Sequence, residues 1–209
     1  ALANAATSIG FKSTASAANA ISFGSYSQAG GTQAVALGDQ ATASAANTVA
    51  LGTAAAASRE NAMALGTASQ ANGISAIALG ANAYANDAGT GSSTIAIGKG
   101  TQATMLGGSS GVTAIAIGEN ANAVHAGVAI GYSAKAPQNG AVAIGWSANT
   151  SGSQSAVAIG DRAQAKGNNA VAIGGNADNT GTISNGAGAV ALGAGANASG
   201  NGAMALGGF

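Results

Sequence analysis

A glycine that returns at a fixed distance limits this chain more than any other feature. Glycines preceded by Ile, Leu or Phe stand at Gly10, Gly24, Gly38, Gly52, Gly66, Gly80, Gly98, Gly118, Gly131, Gly145, Gly160, Gly174, Gly193 and Gly207, at intervals of 14, 14, 14, 14, 14, 18, 20, 13, 14, 15, 14, 19 and 14 residues. The unit is therefore fourteen residues. Three before each anchor glycine the residue is aliphatic or Met in every copy except Thr7, and only Ala or Ser lies between. Three after it comes Ala, Ser or Thr, and five after it comes Ala in all but two copies, Thr150 and Asn179. Residues alternating with these, such as Thr14, Gln28, Gln70, Lys135, Gln164 and Asn197, are mostly polar. Seven after the anchor a second glycine recurs (Gly31, Gly73, Gly152, Gly167, Gly181, Gly200), where a tight corner is expected to need positive φ.

Tandem periods of this kind mark stacked architectures. In the stretch NNAVAIGGNA at 168–177, strand alternation puts Val171 and Ile173 on one face and Ala172 and Gly174 on the other, and neither face is polar. Two short strands and two corners per fourteen residues make one coil of a solenoid, its strands parallel to those of the next coil. A coil this short encloses very little room, so Ala172, Gly174, Ala177 and their equivalents belong inside. Val171 and Ile173 must then face outward. At about 60–120 Å² for each large apolar side chain, the resulting stripe covers about 1,600–3,200 Å². Soluble monomers expose patches of only about 300–600 Å². The stripe therefore calls for a cover of obligate-interface size, supplied most simply by identical chains with equal coils at equal height. Periodicity alone leaves open whether two, three or more chains take part.

Composition narrows the function. Charged residues are 6% of the 209, aromatics 3%, and the net charge is zero, so no basic surface exists to neutralise phosphates and nucleic acid is not an expected partner. A hydrophobic fraction of 47% argues against disorder, and no apolar run approaches the roughly 20 residues that span a bilayer, so this segment is not expected to contact membrane. There is no cysteine and hence no disulfide or thiol chemistry. All twelve charges (Lys12, Asp39, Arg59, Glu60, Asp87, Lys99, Glu119, Lys135, Asp161, Arg162, Lys166, Asp178) avoid the expected interior and stripe positions, as the cost of burying an unpaired charge requires.

The unit resembles the head repeat of YadA-like trimeric autotransporter adhesins (Hep/Hag-type repeats), whose motif runs Asn-Ser-Val-Ala-Ile-Gly and then x-x-Ser-x-Ala-x-Gly. The nearest copies are NNAVAIGGNADN at 168–179, SAVAIGDRAQAKG at 155–167 and GAVAIGWSANTSG at 140–152. The resemblance implies an all-β fold, a left-handed parallel β-roll of about 14 coils assembled as a homotrimer, in which residues 1–209 are one repetitive head domain, a fragment without neck, stalk or anchor. It also implies exposure on a Gram-negative outer surface as an adhesive head. The partners it suggests are host matrix proteins of the collagen, fibronectin or laminin class, or cell-surface molecules; a self-association head and a plain spacer rod are the alternatives. The trimer interface is expected at Val35, Leu37, Val49, Leu51, Ile77, Leu79, Ile95, Ile97, Ile115, Ile117, Val128, Ile130, Val142, Ile144, Val157, Ile159, Val171, Ile173, Val190 and Leu192. Two departures from the motif stand out. The Ser position is usually Ala (Ala34, Ala62, Ala156, Ala170), and the Asn survives only in some copies, such as Asn19, Asn47, Asn61 and Asn169. If those polar residues carry matrix binding in relatives, this chain offers fewer of them.

Three long intervals mark insertions, expected between the second strand of one coil and the first strand of the next, at 86–93, 104–113 and 179–188. Tyr132 and Trp146 each directly follow an anchor glycine on consecutive coils, so their rings should be neighbours on the outer wall, and they are the candidate ligand-binding residues. His125 is the single histidine, at a corner, with no acidic or cysteine cluster to make a metal site and no Ser/His/Asp arrangement around it. No cofactor and no catalysis are expected. A solenoid acyltransferase would need a six-residue period, an ice-binding solenoid a Thr-x-Thr ladder, and a calcium-binding roll an Asp in every coil; the chain has four Asp in all.

Overall fold

A computed structural model of the chain describes residues 3–87, 93–105, 113–150, 152, 154–175 and 181–207. They are all β, with parallel strands stacked as a solenoid of about 13 turns. The chain falls into two compact units, Ala1–Val112 and Thr113–Phe209.

Each unit repeats the same coil. In the first, the apolar segments form three-residue strands, from Thr7–Ile9 through Val35–Leu37 and Val49–Leu51 to Ile95–Ile97. In the second they run from Ile115–Ile117 through Val142–Ile144 and Val171–Ile173 to Met204–Leu206. Pairing is parallel and residue for residue: Val35, Ala36 and Leu37 lie against Val49, Ala50 and Leu51. Stacking also satisfies the backbone, because polar groups that one coil cannot pair within itself are met by the next. Thus the Val35 N–H donates to the Thr48 carbonyl at 2.9 Å, and the Gly52 N–H donates to that of Leu37 at 2.8 Å. Shorter strands, such as Gln28–Ala29 and Thr42–Ala43, form the opposite wall in the same way.

The interior is a column of small side chains. Ala36, Ala43, Ala50 and Ala57 are fully buried, and so are Ala143, Ala158, Ala165 and Ala172. Where Ser or Thr replaces Ala inside, the Thr94 and Ser184 hydroxyls stay unpaired, but others find a partner within the coil: Ser22 with Ser27 at 2.7 Å, Ser69 to the Gly66 carbonyl at 2.8 Å, Thr48 to the Ala45 carbonyl at 2.6 Å. Those bonds offset the cost of burying a polar group.

The anchor glycine, expected inside the coil, lies half-buried or exposed just past its strand, and has two reasons to be glycine. At Gly66 φ is +131°, and an added Cβ would lie 2.6 Å from the carbonyl of Gly80 in the next coil. The corners are turned by other residues. Positive φ recurs two residues after the anchor, at Lys12, Gln40 and Asn82, and about nine after it, at Asn19, Asn47, Asn61 and Asn169. Asn tolerates the left-handed region, so the motif's surviving Asn is a corner residue. The motif's Ser position is interior: Ala34, Ala62, Ala156 and Ala170 are at most 1% exposed. The Ser departure therefore removes no outward group, whereas the Asn positions are exposed, as at Asn19, Asn47, Asn61 and Asn169. The glycines seven after the anchor also differ from expectation. Positive φ holds at Gly152 and Gly181 but not at Gly31 or Gly167, where the requirement is closeness, a Cβ at Gly31 colliding with the Ala45 carbonyl.

The insertions shift in place. Two second strands lengthen to four residues, Tyr84–Asp87 and Gln102–Met105, and pair with each other, so 86–87 and 104–105 are strand; 88–92 and 106–112 lie outside the described residues. The longer wall opens the interior enough to bury Met105 at 1% exposure and Asp87 at 4%. Asp87 thus breaks the expected exclusion of charge from the inside. In the third long coil the second strand is Ile183–Ser184, paired with Gln164–Ala165 and Asn197–Ala198. The surplus therefore precedes this strand, and 185–188 form the ordinary corner. Ala177 and Asn179 lie outside the described residues.

Candidate binding surfaces

Because Ala fills the interior, the large residues flanking it in each strand face outward. All twenty residues expected at an interface do so: in every one of those strands the central Ala is buried while its two neighbours are half-buried or exposed. In the first unit Leu37, Leu51 and Leu79 are among the exposed large side chains, and Phe23 is half exposed at 50%. In the second, Ile173 and Leu192 are exposed in the same way. Each unit thus presents an apolar wall one strand wide.

A second surface lies where that wall turns the corner. Tyr132 and Trp146 stack with ring centroids 6.2 Å apart and planes 19° from parallel, as their common offset implies. Arg162, one coil further on, places its guanidinium 4.4 Å from the Trp146 centroid. Tyr132, Trp146 and Arg162 form a coil-to-coil ladder in which the indole contacts both neighbours, with its outer edge in water.

The first unit carries a related cluster that the sequence reading did not single out. Phe11 and Tyr26 meet edge to face at 5.4 Å and 80°, and the Lys12 ammonium lies 5.4 Å from each ring centroid. The signal was present: Phe11 stands one residue and Tyr26 two residues after successive anchors, which is the same corner. The opposite wall, by contrast, is polar and self-paired. Ser58 donates to Asn72 on the next coil at 2.9 Å, and at a corner Asn47 donates to Asn61 at 3.2 Å.

His125 sits half-buried at a corner with φ +47°. Among the described residues no three His, Cys, Asp or Glu side chains gather as metal ligands, and no helix is long and apolar enough to cross a membrane.

This arrangement of repeats matches the family described as the YadA head domain repeat (2 copies) over residues 1–27, 29–55, 57–86, 109–127, 125–148, 151–177 and 184–209. No curated protein matches the chain.

Proposed function

The chain belongs to the YadA head family, which is a family of surface adhesins and not of enzymes, and on that premise we propose that it is the head of a trimeric adhesin on a Gram-negative cell surface. Three copies pack their apolar walls together through residues such as Val142, Ile144, Val171 and Ile173, in left-handed coils at equal height, and the two units act as one repetitive head. The observation that carries this reading is the outward Val/Ile/Leu wall beside an interior already closed by alanine. Large side chains that find no room inside their own coil lose water only against another surface.

Adhesion then works by repetition. Three chains present every outward residue three times, so weak contacts with a repetitive host matrix protein of the collagen, fibronectin or laminin class sum to avidity. Light scattering across a dilution series tests the assembly: a mass near three times 19.1 kDa that persists on dilution supports it, and a well-behaved single chain overturns it. The assembled head is next presented to immobilised collagen, fibronectin and laminin and to itself. Saturable capture by a matrix protein supports attachment to the host, whereas capture only by a second head assigns it to cell-to-cell association.

A further inference from the structure

The corner of the second and third coils in the first unit has the makings of a ligand site. Among the described residues, the one two after each anchor glycine takes left-handed φ, a costly region for bulky side chains, and other coils place Ala54, Ala68 or Asn82 there. The second coil places Tyr26 there, with φ +55°. Its ring is held on one side by the edge-to-face contact with Phe11, and it remains 46% exposed. One coil on, Gln40 takes the same backbone conformation, and its amide nitrogen donates to a carboxylate oxygen of Asp39 at 3.0 Å, which orients the group. On the adjoining wall, Gln28 pairs with Thr42 and is exposed, while Thr42 is half-buried. Tyr26, Gln28, Gln40 and Thr42 together line an open groove of about 520 Å³, within the roughly 300–1,000 Å³ usual for small ligands.

The lining specifies the ligand chemistry. One aromatic ring, two primary amides and two hydroxyls, those of Tyr26 and Thr42, suit a molecule with an apolar C–H face and neutral groups that both donate and accept hydrogen bonds. Charge is not what the groove selects: the Lys12 ammonium lies over the two rings and the Asp39 carboxylate accepts from Gln40. Nor is an extended peptide suited, because the Gln28–Ala29 strand is already paired on both edges, with Thr14–Ala15 and Thr42–Ala43. We infer that this groove binds a neutral glycan, one hexose ring resting on Tyr26 and its hydroxyls meeting the Gln28 and Gln40 amides and the Thr42 hydroxyl. The site goes beyond the adhesin reading and needs only the fold of the first unit.

The test is saturation-transfer NMR on the full chain with lactose, N-acetyllactosamine, maltose and cellobiose. Transfer to the C–H protons of one hexose face is expected for at least one of them. Tyr26→Ala should weaken that binding roughly two- to tenfold, the worth of an aromatic contact, and Tyr84→Ala, outside the lining of the groove, should leave it unchanged. The Tyr26→Ala protein should fold, because Ala54 and Ala68 hold the same conformation in their own coils. Absence of transfer from all four sugars, or transfer undiminished in Tyr26→Ala, overturns the site. An assembled head without sugar transfer removes the groove and leaves the adhesin reading. A sugar-binding single chain does the reverse.

Discussion

The two walls of a coil share one interior and face two different exteriors. Inside, they cannot be told apart: Ala36 and Ala50 on one wall and Ala43 and Ala57 on the other are all fully buried. Outside, the first wall carries Val, Leu and Ile, whereas the second carries Thr14, Gln28, Thr42 and Gln70. The size of the coil sets the interior, so both walls obey it equally. What lies outside sets the exterior, and there water and coil-to-coil hydrogen bonds satisfy only the polar wall. An apolar wall on a closed coil is therefore the basis of the proposed assembly, whereas in an ordinary domain the same residues would be the core.

Charge on each wall in turn is the strongest way to break this comparison. Ile173→Asp or Ile144→Asp should abolish assembly, because an unpaired charge buried at an interface costs about 3–5 kcal/mol. Gln164→Asp, on the polar wall, should leave the mass in light scattering unchanged. A fully assembled Ile144→Asp/Ile173→Asp double variant would mean that the apolar wall is not the interface. Inside, the walls should respond alike. Ala50→Leu and Ala57→Leu should each destabilise by about 1–3 kcal/mol through overpacking, read from thermal unfolding, and a large difference between them would show that the two walls are not equivalent linings. A smaller loss is expected at the second unit's corner. Trp146→Ala removes one ring stack and one cation–π contact, about 1–2 kcal/mol together, and chemical denaturation should show that Arg162→Ala recovers only part of it. Least of all, Ser58→Ala on the polar wall should change stability by no more than about 0.5 kcal/mol, since Asn72 then bonds to water.

Most of the coil was legible because its period is short and its interior tolerates only a few residue types. The Ala positions and the outward Val/Ile pairs followed from strand alternation and lack of room, but alternation also put Gly174 inside, and it lies half-buried just past its strand. The position before each Val was less legible: Ala34 and Ala62 looked like lost polar groups and proved to be interior lining. The third insertion was misplaced because the repeat was counted forward from Gly174. Counted back from Gly193, Ile183 stands where Gln164 stands before Gly174, and the strand is found. Asp87 escaped because two neighbouring second strands lengthen together, a pairing that depends on both coils at once. The neighbouring rings of Tyr132 and Trp146 were readable from their offset, but the guanidinium of Arg162 against the indole was not.

By itself the sequence determined the coil: a fourteen-residue period, alanine within and large aliphatics without. These follow from volume and alternation, which act within a single repeat. Only the tertiary structure decided how side chains of different coils meet. It brought Phe11, Lys12 and Tyr26 into one cluster, aligned Gln28 with Thr42 and Tyr26 with Gln40 around an open groove, and widened the interior at Met105. Contacts of that kind depend on which residues share a height and a corner, and stacking settles that by pairing residues thirteen or more apart in the chain.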